Sequence, residues 1–482
     1  MKGWVEMELE SADFGDKRLT NRMKAILTRL SENPNASSIK STCKGWAETM
    51  AAYRFIDNDK VSVEGVIKPH RDATLERARE YSRVLHIQDT SELDYTAKKE
   101  LQGTGPLSTI DRQGFFSHNQ VVVTPERLVL GVWHTQIYAR DEAEHGKATE
   151  RKLKPIEEKE SYRWLEGYRN ACDLAKEAAE TEVIACSDRE GDIYEIFAEW
   201  YQRRENGETA AEWLIRCNQD RRLAKDFEEE GPQAKIREKI GSSPLLGCVS
   251  VVIKAKVQNK KVDGYRQKVH RSGRTATLEI RATNVKLHPP FRKGAKLPPV
   301  SFQVVMAKEK DPPENEEPID WVLLTSLTVP DFNTAVEIVE LYRSRWEIEV
   351  FHRVLKSGCR IEGLQLKNDQ RTKVAIALYM IVAWRVLYVM RLGRECPDLP
   401  CDVVFEEDEW RALWMVSCNG ESPEKTPSLQ EVVIKVAQWG GFLARKGDGQ
   451  PGPQAIWQGL TRVRDFTLAW QVFQETRMMS ED

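Results

Sequence analysis

The sequence predicts an α/β protein built from several domains, and three observations support this prediction. With 482 residues, the chain exceeds what one hydrophobic core usually supports, so about two to four domains are expected. Between residues 76 and 216 the apolar patterns follow the order strand, strand, strand, helix, strand, helix. Helical periodicity prevails at both ends of the chain.

The two ends are expected to form helical domains. Residues 1–75 show short helical patterns, one of which has an apolar face followed by the breaker Asn33-Pro34-Asn35. That face consists of Met23, Ile26, Leu27 and Leu30. Residues 396–482 begin with a proline- and acid-rich linker, and their helical patterns contain Trp439, Trp457 and Trp470. The plain role for these tryptophans is to fill a small helical core.

Two aspartates are predicted at the ends of core strands. The run from Val84 to Ile87 indicates a strand, and Asp89 begins the polar, turn-forming residues after it. A second strand, over residues 182–187, ends at Asp188 and leads through a turn into a helix. Asp192 stands immediately before that helix and is its expected cap, which leaves Asp188 for another role. A plain turn or cap role is the alternative for both strand-end aspartates.

A helix is predicted from about residue 333 to residue 357, and one of its faces carries five polar residues. At about 100° per residue, these positions fall within an arc of about 80°. They are Tyr342, Arg345, Glu349, His352 and Lys356. A carboxylate on such a face can hold Mg²⁺ or Mn²⁺ beside phosphate oxygens, and the cations can grip a nucleic-acid backbone. The alternative is a solvated face of charge pairs such as Arg345 with Glu349.

Charge is distributed unevenly along the chain. The formal net charge of −3 and the pI of about 6.3 do not by themselves indicate a DNA-binding protein. Residues 251–300, however, contain thirteen Lys and Arg against two acidic residues, and residues 15–44 contain seven against two. Alternating patterns at 249–257 and 275–281 predict that the first of these segments belongs to a β-rich insertion. This asymmetry favours directed binding to DNA phosphates over a merely solvated face.

Zinc-binding, disulfide-rich and membrane proteins are not indicated. The nine cysteines form no C-x-x-C pair. The first residues lack the apolar stretch of an export signal. The longest apolar run, Val374 to Trp384, is shorter than the roughly 20 residues of a membrane span and is expected to be a buried helix. The protein is therefore expected in the reducing cytoplasm, with no membrane partner.

These motifs resemble the DDE cut-and-paste transposases of the insertion-sequence-four superfamily. The pattern Tyr342-x2-Arg345-x3-Glu349-x6-Lys356 matches the signature of that superfamily in full, and the surroundings of Asp89 and Asp188 match those of its catalytic aspartates. The resemblance implies a catalytic core with an RNase H-like (retroviral integrase-like) fold. It also implies that Asp89, Asp188 and Glu349 are catalytic and bind two Mg²⁺ ions per active site, which Mn²⁺ can replace.

The same resemblance divides the chain into five parts. They are a helical DNA-end-binding domain at 1–75, the first part of the catalytic core at 76–216, a basic β-rich insertion at 217–320, the second part of the core with the glutamate helix at 321–395, and a helical dimerisation domain at 396–482.

Further residues are implied to contact DNA. Tyr342, Arg345 and Lys356 would position phosphates, and Arg216 and Trp321 would hold the distorted strand. The remaining candidates are Trp346, His352, Arg353, Lys17, Arg18, Arg22 and Arg54. Asn218 and Gln219 stand where the family has a lysine and a histidine, which implies weaker DNA contacts at that place. Trp321 opens a buried-type strand, so a plain core role is its alternative.

The implied function is DNA transposition. A homodimer in a synaptic complex would bind double-stranded transposon ends, nick them, form and reopen a hairpin, and join the ends to target DNA. Such an enzyme would act in the bacterial cytoplasm in association with the nucleoid. Two alternatives stay open: an RNase H-like, metal-dependent, structure-specific DNA nuclease without strand transfer, and a catalytically inactive, transposase-derived DNA-binding protein.

Overall fold

The structure, a computed structural model, describes most of the chain in two compact units. The described residues are 3–33, 38–109, 111–142, 155–224, 234–253, 256–262, 265–271, 273–292, 296–314 and 316–481. For 256–262, 265–271 and 477–481 it describes the backbone. The first unit consists of Met1–Ala148 and Trp346–Asp482, and the second unit is Thr149–Arg345.

The first unit begins with helices, as predicted. They are α1 (Trp4–Glu8), α2 (Lys17–Glu32), α3 (Trp46–Ile56) and α4 (Val63–Arg79). Asp16 and Ser62 cap α2 and α4 by accepting the backbone N–H groups of Arg18 and Gly65. The apolar face predicted for α2 is confirmed, since all four of its residues are buried.

A buried ion cluster ties α1 to α4. Glu8 accepts hydrogen bonds from Nη1 and Nη2 of Arg77, at 2.8 and 2.9 Å, and from Nδ1 of His70 at 2.5 Å. Nε2 of His70 accepts the N–H of Val132 at 2.8 Å, so the ring is neutral, and burial lowers its pKa. Burial alone would raise the pKa of Glu8, but His70 and Arg77 lower it to about 2. Glu8 is therefore an ionised group in the interior.

An antiparallel sheet follows, formed by β1 (Arg83–Asp94), β2 (Gly105–Pro106), β3 (Gln113–Val123) and β4 (Val129–Tyr138). Asp89 of β1 stands opposite Asn119 of β3, which in turn stands opposite Thr135 of β4. Directly opposed residues share a face of the sheet, so these three side chains lie on one face. The prediction that the strand ends at Asp89 was wrong. β1 continues to Asp94 because its backbone keeps pairing with β3 as far as Gly114.

The second unit begins with the predicted order of helix, strand and helix, and a further strand follows. Its first elements are α5 (Tyr162–Glu177), β5 (Glu182–Ser187), α6 (Tyr194–Glu205) and β6 (Glu212–Arg216). β5 and β6 pair in parallel, with α6 as the connection between them. This is the βαβ arrangement that parallel neighbours require.

Residues 217–320 add β-structure to the second unit, as predicted. The elements are α7 (Ile236–Ser242), β7 (Leu245–Ile253), β8 (Lys256–Val262), β9 (Tyr265–Arg271), β10 (Arg274–Leu287) and β11 (Val300–Glu309), followed by β12 (Asp320–Thr325). The strand order is β5-β6-β12-β11-β10-β7, and β8 and β9 form a separate hairpin. Phe197, Trp213 and Phe302 pack with ring centroids 4.6, 5.1 and 5.3 Å apart and mark the core of this unit.

The predicted helix over 333–357 is helical but not continuous. α8 (Phe332–Ser344) ends before Arg345, which keeps helical dihedrals at φ −52° and ψ −29°, and α9 (Trp346–Arg353) begins at the next residue. Val354–Gly358 then forms a π-helix. Because a π-helix has more residues per turn, the 100° spacing used in the prediction does not extend to Lys356. The boundary between the two units falls at Arg345 and Trp346.

The last helices of the first unit are α10 (Asp369–Glu395), α11 (Glu407–Ser417), α12 (Leu429–Trp439) and α13 (Pro453–Glu481). α10 is long and apolar enough to cross a membrane, but 83% of its apolar window is buried inside the protein. It contacts α4 and β4, and Nε1 of Trp384 donates to the Val129 carbonyl at 2.9 Å. α10 is therefore a core helix, which confirms the prediction for Val374 to Trp384.

Candidate active site

Asp89 lies where the buried part of β1 gives way to half-buried residues. Its Oδ1 accepts the N–H of Thr90 at 2.8 Å. On the opposite face of β1, the Thr90 hydroxyl lies 2.8 Å from Nδ1 of His118, whose Nε2 is 3.2 Å from Oε1 of Gln88. Hydrogen bonds thus restrain β1 on both sides of Asp89, which fixes the backbone that presents the carboxylate.

Glu349 lies in the first turn of α9, which packs against β1 and β3. Ile348 and Phe351 are fully buried in the core of the first unit. Glu347, 1% exposed, is held by Arg391 of α10 through an Nε–Oε2 contact of 3.0 Å. These contacts fix α9 over the sheet, and they bring Asp89 and Glu349 onto neighbouring elements of the first unit.

Asp188 lies at the end of β5 in the second unit, as predicted. Its Oδ1 accepts the N–H of Glu190 at 2.8 Å and so caps a 3-10 turn. The prediction that Asp192 caps the next helix was wrong. Asp192 is buried, accepts the N–H groups of Asn218 and Gln219 at 2.7 and 2.8 Å, and pairs with Arg221. It holds the segment that follows β6, a long-range contact that the local pattern does not reveal.

Aromatic and cationic side chains gather around Tyr342 in the second unit, and the charge of Asp188 also acts on that phenol. Burial raises the pKa of Tyr342 to about 12, against the opposing influence of Arg345 and Arg216. Burial also lowers the pKa of Arg216, and Tyr342 and Arg345 are among its charged or ionisable neighbours. Trp321 packs edge-on against Tyr342 with ring centroids 5.7 Å apart. The second unit therefore gathers Asp188, Arg216, Trp321, Tyr342 and Arg345.

Lys356 and His352 both face the sheet of the first unit. Nζ of Lys356 donates to the backbone oxygen of Glu92 at 2.7 Å and lies 3.3 Å from a carboxylate oxygen of Glu362. Nε2 of the buried His352 lies 2.9 Å from Nδ2 of Asn119. By contrast, the other two candidates on this helix, Trp346 and Arg353, are exposed. The DNA contacts of all four candidates remain predictions.

The N-terminal candidates lie on α2 and α3. Lys17 and Arg18 are exposed in the first turn of α2, and Arg22 is half-buried one turn later. Arg54 is exposed in the last turn of α3. Exposure leaves Lys17, Arg18 and Arg54 accessible to a ligand, and their contact with DNA remains a prediction.

Two residues beside these sites were not predicted. Arg189 adds a further positive charge near Arg216. Its position directly after a strand-end aspartate could have identified it as a candidate from the sequence. Asn119 faces Asp89 in the strand register and contacts His352. Nothing local singles it out, because its contact spans 233 residues of sequence.

The chemistry of the three acids fits a divalent metal. Asp89, Asp188 and Glu349 are half-buried carboxylates, the oxygen ligands that Mg²⁺ and Mn²⁺ prefer. Within the described part of the chain, no group of three or more His, Cys, Asp or Glu side chains is gathered closely enough to hold a metal ion. The assignment of these acids to one metal site therefore remains a prediction.

Comparison with known families identifies the class of this protein. The transposase DDE domain matches residues 125–385, more than half of the chain. The chain belongs to the DDE transposases, metal-dependent enzymes with an RNase H-like core that cleave DNA and transfer its strands. The predicted fold class, enzyme class and dependence on a divalent metal are confirmed at this level.

Two further matches specify the kind of transposase. Residues 1–61 match the transposase DNA-binding domain, and residues 381–476 match the dimerisation domain of the Tn5 transposase. The protein is a Tn5-like DDE transposase, which binds transposon DNA and forms a homodimer. The resemblance and the two partners predicted from the sequence are thereby confirmed.

Proposed function

We propose that this transposase works by cut-and-paste: it nicks the transposon end, forms a hairpin, reopens it and joins the end to target DNA. The metal would be Mg²⁺, with two ions per active site, and Mn²⁺ would substitute for it. The observation that carries this proposal is the placement of Asp89 on the sheet face over which α9 holds Glu349. No observation favours a nuclease without strand transfer or an inactive DNA-binding protein.

The carboxylates of Asp89, Asp188 and Glu349 would hold the ions. When bound, the ions would activate water or a DNA 3′-hydroxyl and stabilise the leaving oxygen of an in-line displacement. The protein itself would do little covalent work, because positioning and electrostatics carry most of the acceleration in phosphoryl transfer. The fixed backbone of β1 and the fixed axis of α9 serve that purpose for Asp89 and Glu349.

The side chains near Asp188 would hold the phosphodiester. The phenol of Tyr342 remains protonated at neutral pH, since its pKa is raised to about 12, and it can donate a hydrogen bond to a phosphate oxygen. Arg345 and Arg216 would supply positive charge, because a guanidinium stays protonated even when burial lowers its pKa. Trp321 would stack on a base extruded from the distorted strand, and the 41%-exposed Trp346 would enter the space that the base vacates.

Recognition of the DNA end would begin at the N-terminal helices. The exposed Lys17, Arg18 and Arg54, together with Arg22, would contact phosphates or bases, and Lys356 and Arg353 would contact the cleaved strand. A DNA-binding enzyme of this class fits the bacterial cytoplasm, and we propose that it associates with the nucleoid.

The test is a transposition reaction in solution. Purified protein is incubated with a labelled terminal-sequence duplex, Mg²⁺ or Mn²⁺ and a target plasmid. Wild type is expected to give hairpin and joined products, and Glu349→Ala neither, with end binding retained. Glu340→Ala serves as the matched control, because Glu340 is 45% exposed at its side chain and pairs with Arg343 on the same helix, α8. Equal product from wild type and Glu349→Ala would refute the assignment.

A further inference from the structure

Asn119 stands opposite one acid of the first unit and contacts the helix that carries the other. It is fully buried, stands opposite Asp89, and contacts His352, which follows Glu349 by three residues in α9. Residues three apart are neighbours on a helix surface. The contact with His352 therefore fixes the turn of α9 on which Glu349 lies.

The partners of Asn119 fix the orientation of its amide. Oδ1 accepts hydrogen bonds from the hydroxyls of Ser117 and Thr135, at 2.9 and 2.8 Å. Nδ2 lies 3.4 Å from the backbone oxygen of Ser117, an atom that can only accept. Nδ2 consequently faces His352 as a donor, and Nε2 of His352 must carry a lone pair.

This arrangement makes His352 a neutral acceptor rather than a cation. The ring carries its proton on Nδ1, since a proton on Nε2 would set two donors against each other at 2.9 Å. His352 is 8% exposed, so the sheet rather than solvent surrounds it. Its role would then differ from the DNA contact that the resemblance implied.

We propose that Asn119 is a positioning residue for the carboxylate of Glu349 and acts through His352. The inference rests on the proposed function, in which Asp89 and Glu349 bind the same ions. The side chain of Asn119 is held by hydrogen bonds to Ser117 of β3 and Thr135 of β4. Its contact with His352 therefore fixes α9 relative to the sheet. Groups that orient metal ligands without touching the ion typically contribute about 10- to 100-fold to metal affinity.

The test compares four variants in the full-length protein. Asn119→Ala and His352→Ala remove the contact, whereas His352→Gln keeps an acceptor, the amide oxygen, for Nδ2 of Asn119. Trp384→Phe is the matched control, because it removes a different buried hydrogen bond of the first unit, the one to Val129. Three quantities are measured: the Mn²⁺ concentration for half-maximal cleavage, Mn²⁺ affinity by titration calorimetry, and end binding in EDTA.

Asn119→Ala and His352→Ala are expected to raise the required Mn²⁺ concentration about tenfold and to weaken Mn²⁺ binding in parallel. His352→Gln is expected to restore both to within about twofold of wild type, and Trp384→Phe to leave both unchanged. End binding in EDTA is expected to be unaffected in all four variants. If Asn119→Ala fails to fold, the comparison of Ala with Gln at position 352 still decides the matter.

Two outcomes would overturn the inference. Unchanged Mn²⁺ dependence in His352→Ala would show that the contact positions nothing. Loss of end binding in both His352 variants would instead identify His352 as a DNA contact. Failure of the proposed function is distinguishable from either, because wild type itself would then make no hairpin or joined product.

Discussion

Replacing Glu8 with glutamine should destabilise the first unit, because Glu8 is the ionised centre of the cluster that joins α1 to α4. Its side chain is 5% exposed and receives three hydrogen bonds from Arg77 and His70. Glutamine removes the charge and leaves the guanidinium of Arg77 without its carboxylate. Breaking a buried ion pair by removing one partner typically costs about 3–5 kcal/mol.

The pKa of Glu8 gives a second measure of the same effect. The folded protein lowers it from 4.5 to about 2, and at 1.36 kcal/mol per unit this is about 3 kcal/mol. A carboxyl whose pKa is lower in the folded than in the unfolded protein stabilises the fold when the pH lies above its unfolded-state pKa. This stabilisation is lost as the pH falls toward its folded-state pKa. The difference in unfolding free energy between wild type and Glu8→Gln should therefore be largest at pH 7 and decline from about pH 4.5 to about pH 2.

Urea unfolding and amide hydrogen exchange can measure this difference. The Val132 amide is an apt reporter, since it donates to His70 within the cluster. Asp72→Asn is the matched control on the same helix, because Asp72 pairs with Lys68 at the surface, where such pairs are worth about 1 kcal/mol or less. Two results would refute the reasoning. One is an equal loss of stability in Glu8→Gln and Asp72→Asn. The other is a stability difference between wild type and Glu8→Gln that stays unchanged down to pH 2.

Three further outcomes are expected. Asp192→Ala should destabilise the second unit by about 3–5 kcal/mol in urea unfolding, because it removes the acceptor of Arg221 and of two backbone N–H groups. A loss of stability below about 1 kcal/mol would contradict the role assigned to Asp192. Tyr342→Phe should become progressively more stable than wild type between pH 10 and pH 12, by up to about 3 kcal/mol. The reason is that only the unfolded chain ionises this phenol in that range. If alkaline unfolding shows the same difference in unfolding free energy at every pH, the phenol is not buried. Chelation with EDTA should abolish cleavage but retain binding of the DNA end, and added Mg²⁺ or Mn²⁺ should restore cleavage; cleavage that survives chelation would exclude the carboxylate assignment.

Local pattern was sufficient to predict most of the strands and helices. The short apolar run within 182–187 predicted β5 and the strand-end position of Asp188, and the apolar spacing of α2 predicted its buried face. The signature from Tyr342 to Lys356 predicted a helix that carries the family's glutamate. In each case, a short segment contains both the residues and the physical cause of the structure.

The predictions that were wrong involve partners distant in sequence. β1 extends past Asp89 because β3 supplies hydrogen bonds to polar residues that otherwise favour a turn. Asp192 is drawn away from the start of α6 by backbone groups 26 and 27 residues later. The π-helix after Arg353 likewise follows a stretch whose spacing predicts an ordinary helix. Such contacts are set by tertiary packing, which periodicity does not encode.

The first unit is discontinuous along the chain, and this affects the order in which the protein can be built. Residues 149–345 leave the ribosome as one continuous segment, whereas the first unit must wait for everything after 345. Its early helices α2 and α4 contact α10, which is synthesised some 300 residues after them. A chain interrupted before residue 369 would carry the whole DNA-binding sequence without the helix that supports it. Nascent or prematurely terminated chains should therefore bind transposon ends poorly.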